Sequence, residues 1–477
     1  MNSEPPAASG ARDVADSRLW ALLTVAGVVF LNVIDVTILN VAIPTIQREL
    51  GAGEAAIQWL IAGYASVFGI LMMTGGRLGD IYGYRRILAI GLIGFVLSSL
   101  ACGLATDPLA LILARLVQGA SAAMMSPQVQ STIQLLYVPK ERVAVLGVFG
   151  VLGGAAAVAG PLVGGLLIEA DLFGLGWRMI FLVNLPFGVL LLFGAMRYLP
   201  ARRSSLTPHL DVAGNVLVML LFASLLVPLV EGRALGWPAW CVAMMATSPA
   251  LLYLVIRYST QRMARDGSAM LVPSLFAERS FSVGVGMAGL FQATMAGTLF
   301  VLTLALQNGL AFSAGEVGIV HVPFAVGVAA GIGVLARKIL PRIGPVLIVL
   351  GAAVMSVGLG AVTWQIWTGT TGIQTYLPTM LVLGLGCGMV HGCVAPISLS
   401  EIDTDYAGAA SGTLRSMQEF GAAAGVAIVG GVFLSIGDVA DWLRAFAGSA
   451  GLTIAILIVI SAMALRTPRD LQVFELS

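Results

Sequence analysis

Along this chain, apolar stretches of about 20 residues alternate with short connections marked by charge, proline or glycine, the spacing expected of helices that each cross a bilayer. The pattern predicts fourteen spans, the first six near 19–43, 57–78, 86–106, 109–135, 142–168 and 178–198. Two more lie near 211–230 and 239–257, and six close the chain near 281–306, 316–336, 345–367, 376–399, 408–434 and 447–465. The grouping divides the chain into a tail at 1–18, a six-helix bundle at 19–200, a two-helix linker at 201–280, a second bundle at 281–465 and a tail at 466–477. Transporters are often built from two related bundles with the cargo site between them. The first tail is polar and is expected to be disordered, and the apolar run after it is too long for a signal-peptide core.

Lysine and arginine gather in alternate connections: Arg77, Arg85 and Arg86; Lys140 and Arg142; Arg197, Arg202 and Arg203; Arg257, Arg262, Arg265 and Arg279; Arg337, Lys338 and Arg342. The bias predicts that these loops and both termini face the cytoplasm. Glu401, Asp403 and Asp405 make one loop acidic, against the pattern, although acidic residues weigh little in this rule.

Composition agrees with a polytopic membrane protein: 58% of residues are hydrophobic and 10% are charged. A formal net charge of +1 leaves no basic surplus to neutralise a nucleic-acid backbone. The 58 glycines suit close helix packing. Cys102, Cys241, Cys387 and Cys393 all fall in apolar segments, which argues against a disulfide framework. Cys387, His391 and Cys393 share one helix, but residue 393 points away from 391, so their side chains would converge poorly on a metal.

Asp35 is the only charge in the first span, and a carboxylate at that depth is costly unless it works. It lies about 12 Å below the outer end of its span, and Arg115 about 9 Å below the outer end of the fourth, on helix rise alone. Similar depth lets the two interact directly or through one water or side chain if both spans line one cavity, with Asp35 facing an aqueous crevice shared by two rocking bundles. A purely structural ion pair is the competing reading. On the thirteenth span Arg415 and Glu419 are four residues apart and share a face, so they are expected to neutralise one another, with gating or coupling as the alternative. His391 is a candidate for titration near neutral pH or for hydrogen-bonded packing.

Five motifs carry a family resemblance. After the second span the chain reads Gly76-Arg-Leu-Gly79-Asp80-Ile-Tyr-Gly83-Tyr-Arg85-Arg86, where glycines permit a tight turn and Asp80 can sit at the N-terminus of a neighbouring helix. Span 4 supplies Leu111, Ile112, Arg115, Gln118, Gly119 and Ala122, and span 5 supplies Gly150, Gly154, Gly160, Pro161, Gly164 and Gly165. Ile34–Pro44 and Trp177–Gly188 complete the set. In order, these resemble the major facilitator superfamily and its 14-span drug:proton antiporter branch, although that family usually has basic residues where this chain has Ile81 and Tyr84.

The resemblance implies an all-α polytopic fold of two six-helix bundles plus two linker helices. It also implies proton-coupled efflux of small amphipathic compounds by a cell-membrane protein, Asp35 and Arg115 handling the proton. The glycines of span 5 have a plain packing reading beside the antiport reading. Trp59, Tyr64, Gln118, Met124, Phe291 and Met295 are candidates for the cargo pocket. The expected partners are a small molecule, protons and lipid, with a monomer and no cofactor, the proton gradient supplying the energy. A proton symporter is the alternative within transport; an embedded enzyme or passive channel is the alternative outside it. No nucleophile with a plausible base, no selectivity repeat and no nucleotide-binding loop supports the latter two.

Overall fold

Local capping chemistry sets where several helices start in the computed structural model. It describes residues 8–137, 139–201, 211–266, 269, 271–402, 406–436 and 442–467. The first seven passes are α1 (Ala8–Leu50), α2 (Glu54–Tyr82), α3 (Tyr84–Gly103), α4 (Pro108–Leu136), α5 (Pro139–Ala170), α6 (Gly176–Tyr198) and α7 (Val212–Ala234). The remaining passes are α8 (Ala239–Asp266), α9 (Arg279–Gly309), α10 (Ala314–Ile343), α11 (Val346–Trp367), α12 (Ile373–Leu399), α13 (Ala407–Ile436) and α14 (Trp442–Ala464). Thirteen are long and apolar enough to cross a bilayer on the described residues, and α5, 32 residues long, is the other. Asp107 caps α4 by accepting from Ala110 N–H at 3.0 Å, with Pro108 in the first turn, where its missing donor costs nothing. Ser313 and Glu316 form a reciprocal capping box at the start of α10. Between α2 and α3 the chain turns on Gly83 alone, at φ +99°, a conformation that excludes most side chains.

The segment 8–18, expected to be disordered, instead continues α1 as helix. Residues 1–7, the connector 202–210 with Arg202, Arg203 and Pro208, the stretch 403–405 and the tail from 468 lie outside the described residues.

The two bundles repeat one packing scheme. In the first, α1 packs on α5 and α6, α4 on α2 and α3, and α3 on α6. In the second, α9 packs on α13 and α14, α12 on α10 and α11, and α11 on α14, the same pairs displaced by eight helices. The cross-bundle pairs α2–α13 and α5–α10 are related by the same exchange. This internal echo is far clearer in space than in sequence. Glycines set the spacing at equivalent joints: a Cβ on Gly160 would overlap Thr37, and one on Gly421 or Gly425 would overlap the α9 backbone at Gly289 or Ala293.

Contacts across the seam concentrate at the face away from the chain termini. There Gln307 Nε2 of α9 donates to Val41 O of α1 at 2.9 Å, and Gly315 N–H of α10 donates to Glu169 Oε1 of α5 at 3.0 Å. Nearer the middle, Ser416 Oγ of α13 donates to Gly69 O of α2 at 2.8 Å.

Candidate functional site

Five helices of the first bundle converge on one carboxylate. Asp35 lies on the buried stripe of α1 with Val28, Leu31, Leu39 and Ala42, and it is 0% exposed. Its Oδ2 sits 2.8 Å from Arg115 Nη1 of α4, and the arginine is 1% exposed. Its Oδ1 accepts from Gln118 Nε2 of α4 at 2.9 Å and from Asn184 Nδ2 of α6 at 2.8 Å. Gln118 also donates to Ser99 Oγ of α3 at 2.8 Å, and α2 supplies Leu60 O to Arg115 Nε at 3.3 Å. The Tyr64 ring lies 4.3 Å from the guanidinium carbon, adding a cation–π contact. Arg115 Nη1 donates to Gln118 Oε1 as well, at 2.7 Å.

A lone ion at this depth would carry a desolvation penalty of several kcal/mol, and removing either partner of a buried pair leaves the other uncompensated. Here three donors hold the carboxylate, while three neutral groups (Gln118 Oε1, Leu60 O and the Tyr64 face) would remain on Arg115 if Asp35 took up a proton. The network can therefore exist in two charge states without leaving Arg115 bare. Depth in the sequence pointed to the Asp35–Arg115 pairing. The expectation that Asp35 faces an aqueous crevice does not hold in this conformation, because α2, α3, α4 and α6 enclose it.

Ser99 and Asn184 were not singled out by sequence reasoning. Asn184 lies inside the Trp177–Gly188 run, where a lone amide in an apolar stretch was the available signal. The start of that run is structural: Trp177 Nε1 donates to Glu49 Oε2 at 2.9 Å, and Arg178 pairs with the same carboxylate at 3.5 Å.

The other expected residues distribute as follows. Arg415 and Glu419 pair at 2.7 Å on α13, where Glu419 lies against Gly69 of α2, on the seam between bundles. His391 is half-buried on α12, its ring 5.8 Å from that of Phe291. Gly164 packs on Ile38 and Val41 of α1, Gly165 on Ala314 and Gly315 of α10, and the Pro161 carbonyl faces Gly318 of α10. The span-5 motif thus fills the α1–α5–α10 junction; the surroundings of Gly150 and Gly154 lie outside the described residues. In the signature loop Asp80 Oδ1 accepts from Tyr84 OH at 2.9 Å, Gly79 abuts Gln128 of α4, Arg85 reaches Leu199 O at 3.5 Å, and Arg86 is exposed. Gly76 lies beside Pro127 of α4.

Most pocket candidates require correction. Tyr64, Gln118 and Phe291 are buried inside their bundles. Trp59 donates from Nε1 to Glu231 of α7 at 2.6 Å, and the Met124 Cβ packs towards Gly91 of α3. Trp59 and Met124 are half-exposed, as is Met295, which shares a face of α9 with Gln292, Ala296 and Leu299. Residue type and depth had placed these side chains; the direction each one points was not readable. Among the described residues, no group of three or more His, Cys, Asp or Glu side chains could hold a metal ion, and the four cysteines are free and buried.

The sequence profile of the major facilitator superfamily matches residues 25–426. The chain belongs to the major facilitator superfamily. It is a multi-pass membrane transporter of small molecules, not an enzyme. Among superfamily relatives, it is 35% identical over 423 residues to a probable actinorhodin transporter of Streptomyces coelicolor, covering 88% of this chain and 73% of that protein. It is 33% identical to the puromycin resistance protein pur8 of Streptomyces alboniger, covering 92% and 86%. The fold is similar to that of a bacterial homologue of the human lysosomal transporter Spinster, solved in an inward-facing, unoccupied conformation. The TM-score is 0.67 at 16% identity, covering 94% of this chain and 96% of that one.

Proposed function

We propose that this superfamily member is a proton-coupled exporter of small amphipathic organic compounds, with antibiotics or related secondary metabolites as its cargo class. The observation that carries the reading is the sealed Asp35–Arg115 pair with its neutral standby partners. The relatives named for actinorhodin transport and puromycin resistance support export as the direction.

In this reading both termini are cytoplasmic, so the seam is closed at the outer face and the bundles part towards the cytoplasm. Asp35 is ionised and paired while that face is closed. When the bundles rock and the outer face opens, hydration reaches the carboxylate, a proton from outside neutralises it, and Arg115 falls back on Gln118 Oε1 and Leu60 O. Return to the inward-open state re-seals the network, restores the ion pair and expels the proton to the cytoplasm. Cargo occupies the space beside the half-exposed α1 face (Val29, Val33, Val36 and Asn40) and the α9 face carrying Gln292 and Met295. Arg415 and Glu419, on the seam, modulate opening. The protein works as a monomer and needs no bound cofactor, the proton gradient supplying the energy.

Inverted vesicles with an imposed proton gradient test the reading. Adding an aromatic cationic dye should dissipate the gradient, and Asp35→Asn should abolish that response while inserting normally. Normal coupling in the variant would refute the assignment, and the opposite coupling sign would indicate a symporter.

A further inference from the structure

The two linker helices take no part in the proton network, yet α7 occupies a strategic position. It lies in the groove where α2 of the first bundle meets α13 of the second. Its apolar face is continuous with both: Leu226 and Val230 cluster with Ala62 and Ala65 of α2 and with Ala423, Ala424 and Ala427 of α13. The rings of Phe222 and Phe420 stand 4.3 Å apart. By contrast α8 packs chiefly on α7, with much of its surface exposed.

Polar contacts divide α7's attachments unevenly. To α2 it makes three: Asn215 Nδ2 to Thr74 Oγ1, Glu231 Oε1 accepting from Trp59 Nε1 at 2.6 Å, and the Arg233–Glu54 ion pair. To α13, among the described residues, it makes one: Arg233 Nη2 donates to Leu434 O. Leu434 lies in the last turn of α13, where backbone carbonyls have no partner within the helix and cations are favoured. A row of alanines offers little resistance to sliding, so α7 is built to travel with the first bundle, and Arg233 is the one polar tie to the second. Beside it the seam leaves a crevice of about 240 Å³ lined by Gln47 and Glu54 from the first bundle and by Leu304, Asn308, Phe433, Leu434 and Trp442 from the second.

We infer that α7 is a latch: Arg233, anchored on Glu54, grips the carbonyl of Leu434 and holds the bundles together at the face away from the termini. Breaking that grip is a required step of opening there, so Arg233 sets how often that face opens. The inference rests on the alternating-access reading only in taking the bundles to part at this face, and needs nothing of proton coupling.

The test is the labelling rate of Leu304→Cys, which lines the crevice and is buried while this face is closed, by a water-soluble maleimide in purified protein without cargo or gradient. The four native cysteines are buried, and the parent chain without L304C gives the background. Arg233→Gln should speed labelling by about 5- to 20-fold, the expected loss of one partly exposed ion pair plus one charged hydrogen bond. Glu54→Gln, which leaves the Leu434 contact, should speed it by about 2- to 5-fold. Trp59→Phe weakens only the docking of α7 on its own bundle and should leave the rate within about twofold. Unchanged labelling in both R233Q and E54Q overturns the latch. Equal acceleration in W59F and R233Q also overturns it, since the effect would then be general loosening of α7. Because no proton movement is read, failure here leaves the role of Asp35 standing, and failure of proton coupling leaves the latch standing.

Discussion

The two bundles share a packing scheme and differ in what lies at its centre. Where α1, α3, α4 and α6 meet, the first bundle buries a charged pair, two amides and a hydroxyl: Asp35, Arg115, Gln118, Asn184 and Ser99. In the second bundle, by contrast, α9 and α14 meet through Thr298 and Thr453, both buried and 3.3 Å apart. The Arg415–Glu419 pair of α13 lies instead on the seam, its members 46% and 13% exposed. One scaffold has thus been filled twice, once around a buried ion pair and once around a contact between two threonines. In the proposed function, proton handling belongs to the first bundle, and the second is the body against which it rocks.

The harshest way to break this comparison is to strand one charge. Arg115→Met leaves Asp35 buried with neutral donors only and should cost about 3–5 kcal/mol, seen as poor yield and early thermal unfolding in detergent. The double variant D35N/R115M should recover much of that stability and none of the transport, separating folding from function. A less severe test targets the shared scaffold: Gly425→Val drives side-chain atoms into the Ala293 backbone and should cost about 1–3 kcal/mol or more, lowering the melting temperature. In the second bundle's centre, Thr298→Val removes a hydroxyl contact and should cost only about 0.6 kcal/mol with efflux retained. Loss of proton coupling in that variant would erase the asymmetry. Smallest of all, His391→Asn beside Phe291 should change efflux by no more than about twofold, measured as dye extrusion from cells.

Span positions and the bundle grouping were legible because an apolar run and its charged ends are counted directly along the chain. The meeting of Asp35 with Arg115 was legible because depth is a residue count from the helix end and the family resemblance set the first and fourth spans around one cavity. The direction a side chain points was not. In water a helix shows its core side by an apolar stripe, but in lipid the outer face is as apolar as the core, so the periodicity that would orient Trp59, Met124 or Phe291 is erased. For the same reason Ser99 and Asn184, neutral and short, gave no sign that they converge on a carboxylate carried by another helix. The role of α7 was hidden differently, since Arg233 reads as an ordinary loop charge until Leu434, 201 residues later, is brought beside it.

The most direct test of the central claim is proton release on cargo binding, read with a pH indicator in lightly buffered, detergent-solubilised protein across a series of pH values. The wild-type chain should release protons as an aromatic cation is added, and Asp35→Asn should bind the same compound with no release. Equal release from both proteins would contradict the account, since the titrating group would then lie elsewhere than in the sealed centre of the first bundle.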